Sequence, residues 1–141
     1  MINKALFSSN SNEWETPQDL FDELNEEFNF TIDVCATKQN AKCDIYYTKE
    51  DDALALFWSV GIGNGWKWMN PPYGRELKEW IKRASMERKV VALIPARTDT
   101  KYFHEYIYKK KNTEIRFIKG RLKFSNSKNS APFPSMIVIF R

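Results

Sequence analysis

Residues 66–95 read WKWMNPPYGRELKEWIKRASMERKVVALIP, and this stretch decides the fold. It opens on the aromatics Trp66 and Trp68 and stops at Pro71-Pro72, which fits a short strand over residues 66–70. From about Arg75 to Arg88, Leu77, Trp80, Ile81 and Ala84 fall on one side of a helix. Residues 90–95 form a continuous apolar run, as expected of a strand buried on both faces. The unit is strand, helix, strand, and its short strand–helix junction carries Asn70-Pro71-Pro72-Tyr73.

Reading outward, the same alternation continues. Thr16-Pro17-Gln18-Asp19 predicts a helix start, with Thr16 as N-cap, Pro17 at the first helical position and an acid in the first turn. Leu20, Phe21, Leu24 and Phe28 give that helix one apolar face. Residues 30–34 (FTIDV) predict a strand, and residues 44–48 (DIYYT) are a candidate second one. Gly61-Ile62-Gly63-Asn64-Gly65 precedes a strand instead of following one, so it reads as a turn and not as a phosphate-cradling loop. Thr98 or Asp99 is expected to cap a helix reaching about Lys110. Residues 114–118, 121–124 and 135–140 read as strands. The sum is one α/β domain over residues 14–141, a mostly parallel sheet with helices on both faces, behind a loose arm of residues 1–13. Ligands of such sheets gather at the carboxyl ends of the strands, which points to residues 33–36, 70–73 and 95–98.

Composition narrows the classes. The chain has 141 residues, 43% hydrophobic and 28% charged, enough for one folded domain. Its net charge of +4 conceals a split: residues 1–60 carry 4 Lys/Arg against 12 Asp/Glu, and residues 61–141 carry 18 against 6. Such asymmetry favours an anionic partner, nucleic acid first. The longest apolar runs, residues 90–95 and 136–140, are too short to span a membrane. Residues 1–14 have no signal-peptide apolar stretch, so a reducing, cytoplasmic setting is expected. Cys35 and Cys43 make no disulfide framework, and with His104 as the one histidine no metal site is expected.

The chemistry lies at Asn70-Pro71-Pro72-Tyr73. Two prolines fix φ and hold the residues before them extended, which makes a stiff corner. The Asn70 side-chain oxygen and the Pro71 carbonyl can each accept one proton of the same amino group. Tyr73 offers an aromatic face to a planar ring. With both protons held, an amine nitrogen can aim its lone pair at an electrophilic methyl, a reaction that needs positioning more than a strong base.

This motif resembles the catalytic motif of amino-methyltransferases that use S-adenosylmethionine (SAM). The wider match is to the phage-type (Dam-like) DNA N-6-adenine methyltransferases. It rests on Trp14-x-Thr16-Pro17, Phe30-Thr31-x-Asp33-Val34-Cys35-Ala36, Asn40-Ala41-Lys42-Cys43, Asp52-x-Leu54 and Trp68-x-Asn70-Pro71-Pro72-Tyr73. It continues through Pro95-Ala96-Arg97-Thr98-Asp99-Thr100, Gly120-Arg121-Leu122-x-Phe124 and Ala131-Pro132-Phe133-Pro134-Ser135-Met136. The resemblance implies a Rossmann-like SAM-methyltransferase domain acting on the exocyclic amine of adenine in DNA. It implies that Asn70, Pro71 and Tyr73 grip and stack the base while Pro72 shapes the corner. Trp14, Thr16, Pro17, Asp33, Cys35, Ala36 and Asp52 would attend SAM. Val34-Cys35-Ala36-Thr37 departs from the glycine-rich loop that most methyltransferases place after the first acid.

Arg97, Arg121 and Lys123 are the candidate phosphate contacts, with DNA as partner. Lys109-Lys110-Lys111 reads as a helix end, and His104 as structural. Neither cysteine follows a proline, which argues against a cytosine-type thiol nucleophile. Two other readings stay open: the same corner acting on an RNA base or a glutamine side chain, and a decayed relative that only binds DNA. Monomer and homodimer are both compatible with the sequence.

Overall fold

A computed structural model describes residues 13–59 and 64–141. The expected loose arm, apart from Glu13, and Gly61-Ile62-Gly63 of the expected turn lie outside the described residues. Helix α1 spans Gln18–Phe28 and buries Phe21, Leu24 and Phe28. It ends at Asn29, whose left-handed φ of 54° lets its N–H reach Asn25 O at 2.8 Å, while Asn25 Oδ1 accepts from Phe30 N. Strand β1 (Phe30–Asp33) follows. After a long irregular segment come β2 (Trp66–Met69), helix α2 (Leu77–Glu87) and β3 (Val90–Pro95). A π-helical turn at Phe103–Ile107 leads to β4 (Thr113–Phe117) and β5 (Ser135–Phe140).

The five strands form one sheet in the order β1-β2-β3-β5-β4. Strands β1, β2 and β3 pair in parallel, and β5 runs antiparallel to both β3 and β4. Every residue of β3 is buried, as its apolar run predicted, and so is every residue of β5. Phe21 and Phe28 of α1 pack on Phe30, Trp66 and Trp68 with ring centroids 4.7–5.9 Å apart. Gly65 is needed where the chain enters β2, because a Cβ there would lie 2.4 Å from Thr31 Cγ2. No helix among the described residues is long and apolar enough to cross a membrane.

Several local expectations fail for tertiary reasons. Thr16 is not the N-cap of α1: Pro17 holds that position in an extended conformation, with no side-chain cap. Thr16 is buried and turned to another partner, described below. Residues 44–48 form no strand; only Tyr46 bridges to Asp33. Residues 121–124 are irregular, with Phe124 driven into the core. The helix expected up to Lys110 is cut to a π turn, closed by Tyr108 N on Phe103 O at 2.8 Å. The wider turn brings Tyr108 over Phe103, stacked at 5.6 Å, and Thr100 Oγ1 accepts from Phe103 N in place of a Thr98 or Asp99 cap.

Candidate active site

Parallel pairing sets β1, β2 and β3 side by side, so their carboxyl ends share one edge of the sheet. Asn70 is the first residue past β2. Beside it, Val34 N bonds to Trp68 O at 3.1 Å, which brings the Val34-Cys35-Ala36 turn alongside. On the other side β3 delivers Pro95, Ala96 and Arg97.

The Asn70 amide is nearly saturated. Its Nδ2 donates to Trp14 O and, at 2.9 Å, to Thr16 Oγ1; its Oδ1 accepts from Tyr73 Oη at 2.8 Å. A backbone carbonyl can only accept, so the nitrogen must be the atom facing Trp14 O. One lone pair of Oδ1 then remains for a further donor. Tyr73 Oη also lies 2.8 Å from Leu93 O, so one hydroxyl proton serves two acceptors. Burial, with smaller effects from Cys35 and Tyr102, pushes the Tyr73 hydroxyl well above its ordinary value. It therefore stays a neutral donor. The Tyr73 ring is only 7% exposed, with Phe124 and Phe133 edge-on to it at 6.3 and 5.8 Å. The sequence reading expected a presented face; the structure gives Tyr73 a grip on Asn70 instead. Pro71 is buried and Pro72 half-buried, as a stiff corner requires.

Asp33 is buried at the end of β1. Its Oδ1 accepts from Cys35 N at 3.2 Å and its Oδ2 from Lys42 N at 3.0 Å. Burial outweighs these bonds and pushes the carboxyl from 3.8 to about 6. Tyr47 N on Asp33 O and Ala36 N on Tyr47 O tie the next loop to the same turn. Burial raises the Cys35 thiol far above its ordinary range and pushes Cys43 up to about 12. Neither is a thiolate, which agrees with rejecting a cysteine nucleophile.

Trp14 packs on Phe124 and Phe133 at 5.3 and 5.2 Å. Trp14, Thr16, Asn70 and Tyr73 are thus joined, with Asp33, Cys35 and Ala36 on the adjacent strand end. Pro17 sits at the start of α1. Asp52 stands apart: it is exposed, at a left-handed φ of 55° between two 3-10 turns, Lys49–Asp51 and Ala53–Ala55. Arg97, Arg121 and Lys123 are all exposed. The Arg97 guanidinium lies 6.0 Å from the Phe133 ring, and Arg121 and Lys123 lie on the segment that leads into Phe124. His104 Nε2 meets Thr98 O at 2.8 Å, a structural role as expected.

Sequence reasoning missed the segment that closes the site. Ser125 N donates to Glu15 O at 2.9 Å and Ser125 Oγ to Thr16 O at 3.1 Å. The Asn126 amide accepts from Glu15 N at 3.0 Å and donates to Glu13 O at 2.9 Å. Ser125-Asn126-Ser127 reads as an ordinary polar loop. The one signal was its place between two blocks of the family resemblance.

A parallel-strand end carrying Asn-Pro-Pro-Tyr, with a buried acid on the neighbouring strand, is the arrangement that the resemblance to methyltransferases implies, and the family match makes the chain a methyltransferase. More narrowly, the chain belongs to the DNA N-6-adenine-methyltransferase (Dam) family, whose sequence model matches residues 4–141. It is 29% identical to the DNA N-6-adenine-methyltransferase of Haemophilus phage HP1 (strain HP1c1) over 139 residues, 90% of this chain and 77% of the relative. It is 42% identical over 64 residues to the "Putative methyltransferase YfdM" of Escherichia coli (strain K12), 43% of this chain and 70% of the relative.

Proposed function

We propose that the chain transfers the methyl group of SAM to the exocyclic amine of adenine in DNA. The observation that carries this reading is the Asn70 amide, locked so that Oδ1 keeps one lone pair for an amine proton. The Pro71 carbonyl is the second acceptor. SAM supplies an electrophilic methyl on a sulfonium, and every other task falls to the chain. Asp33 suits a cationic cofactor, since its buried carboxylate is under-compensated by two N–H groups and gains from a nearby positive charge. Cys35 and Ala36 continue from the same strand end, Trp14 and Pro17 flank Thr16, which acts on Asn70 and not on SAM, and Asp52 would join the cofactor only through the adenine part of SAM.

The sheet is read as a reduced Rossmann-like methyltransferase domain. The target base must leave the duplex at a cost of about a few kcal/mol, which phosphate contacts from Arg97, Arg121 and Lys123 help offset. For Tyr73 to stack on that base, the Trp14, Phe124 and Phe133 cover has to shift; until then Tyr73 acts through its hydroxyl. Readout falls to residues 36–50 and 120–134. The setting is the cytoplasm of a bacterial host, as monomer or homodimer.

The test is transfer of label from methyl-labelled SAM to unmethylated DNA, with Asn70→Ala as control. Label in nuclease-sensitive N6-methyladenine, absent with the variant, is expected. Label in RNA or in protein, or an unimpaired variant, would overturn the assignment.

A further inference from the structure

We propose that Thr16 and Asn126 are positioning residues that set the Asn70 amide, an inference that rests on the amine-methylation reading above. An asparagine amide can face its surroundings in two ways, related by a flip that exchanges oxygen and nitrogen. Only one of them points an acceptor at an incoming amine. Trp14 O, a carbonyl that can only accept, fixes the choice, and Thr16 Oγ1 takes the second proton of Nδ2. They sit on residues 14–16, which belong to no helix or strand. Pro17 follows and has no N–H to tie the segment into a ladder.

What holds that segment is the opposite side of the site. Asn126 clamps it with one amide, Oδ1 on Glu15 N and Nδ2 on Glu13 O, as a neighbouring strand's backbone would. Ser125 adds its N–H to Glu15 O and its hydroxyl to Thr16 O. Trp14 is pinned between Phe124 and Phe133 in the same stroke. The Glu13–Thr16 backbone therefore joins two sets of hydrogen bonds, those of Asn126 on Glu13 and Glu15 and those of Asn70 Nδ2 on Trp14 and Thr16. Without Thr16 Oγ1, one Nδ2 proton loses its acceptor and the amide is held on that side by Trp14 O alone.

The test uses Thr16→Val, Thr16→Ser, Asn126→Ala and Asn126→Asp in the full chain, with steady-state methyl transfer from labelled SAM to DNA. Thr16→Val keeps the shape and deletes the acceptor. It is expected to lower kcat about tenfold or more and to leave KM for SAM and DNA within about threefold. Thr16→Ser restores kcat. Asn126→Ala lowers kcat in the same way, and Asn126→Asp, which keeps the acceptor for Glu15 N, falls between. The independent readout is the Asn70 side-chain amide by NMR, whose protons are expected to be protected in the wild type and to exchange faster in Thr16→Val. A raised KM for SAM at unchanged kcat would make Thr16 a cofactor contact and overturn the proposal, as would an unaltered Asn70 amide signal. If the wild type methylates nothing, the methylation reading fails, and the NMR result still decides whether Thr16 sets Asn70.

Discussion

Asp33 gives the sharpest test of how the β1 end of the site is built. Its carboxyl is 2% exposed, accepts N–H groups from Cys35 and Lys42, and is still pushed from 3.8 to about 6 because burial prevails. In the unfolded chain it titrates near its ordinary value. Between about pH 4 and pH 6 the native state holds a proton that the unfolded state has released. Its contribution to stability is fully present below about pH 4 and is lost as the pH rises through about 6. The separation of the two values corresponds to about 3 kcal/mol. Asp33→Asn removes the titration. Its carboxamide accepts from one of the two N–H groups, so it carries a pH-independent cost of about 1–3 kcal/mol. The quantity to measure is the difference in unfolding free energy between wild type and Asp33→Asn, by urea denaturation at a series of pH values. The wild type is expected to lose about 3 kcal/mol relative to the variant between about pH 4 and 7, then to stay level. Taking the difference cancels Glu27 and Glu114, which Arg116 holds below the usual carboxylate range and which titrate in the opposite sense. A difference that ignores pH, or that moves in the wild type's favour as pH rises, would refute the reasoning. Because a cation beside Asp33 favours its charged form, SAM affinity measured by calorimetry is expected to rise across the same pH window.

Arg97→Ala, Arg121→Ala and Lys123→Ala are each expected to weaken binding to every DNA sequence alike and to reduce the salt slope by about 1. Fluorescence anisotropy across a salt series checks this, and a variant with an unchanged slope places its residue off the DNA track. Phe124, 1% exposed and packed on Trp14 and Tyr73, is the anchor of the closing segment; Phe124→Ala is expected to lower the urea unfolding free energy by about 3–5 kcal/mol. Cys43, held protonated at neutral pH with a value of about 12, is expected to alkylate slowly with iodoacetamide in the native protein. Rapid native labelling would mean that its thiol is not shielded as the structure has it.

What the sequence made legible was local. The β2–α2–β3 unit and its corner could be read because the apolar spacing, the prolines and the strand ends lie within thirty consecutive residues. The rest depended on pairings across the whole chain. Thr16 sat in a helix-start pattern, yet an amide proton of the half-buried Asn70, 54 residues away, took its hydroxyl in place of the helix end. Asn126 meets Glu15 across 111 residues, and no local grammar encodes that distance. Charge shows the same limit. The charge split favoured an anionic partner, but Lys67 is buried against Asn64 and the Arg88 carbonyl, and Arg83 serves Glu87 and two backbone carbonyls. Arg88 gathers carbonyls at the chain end, Lys89 holds Asn64 O, and Arg116 and Arg141 bind Glu114, Arg116 also reaching Glu27. These six cations are committed to the fold. The charges that we propose meet phosphate, Arg97, Arg121 and Lys123, are exposed instead. Asn126 bonds the Glu13 and Glu15 backbone next to the residues that hold Asn70, so the proposed DNA contacts at Arg121 and Lys123 and the proposed alignment of Asn70 belong to one short stretch of chain.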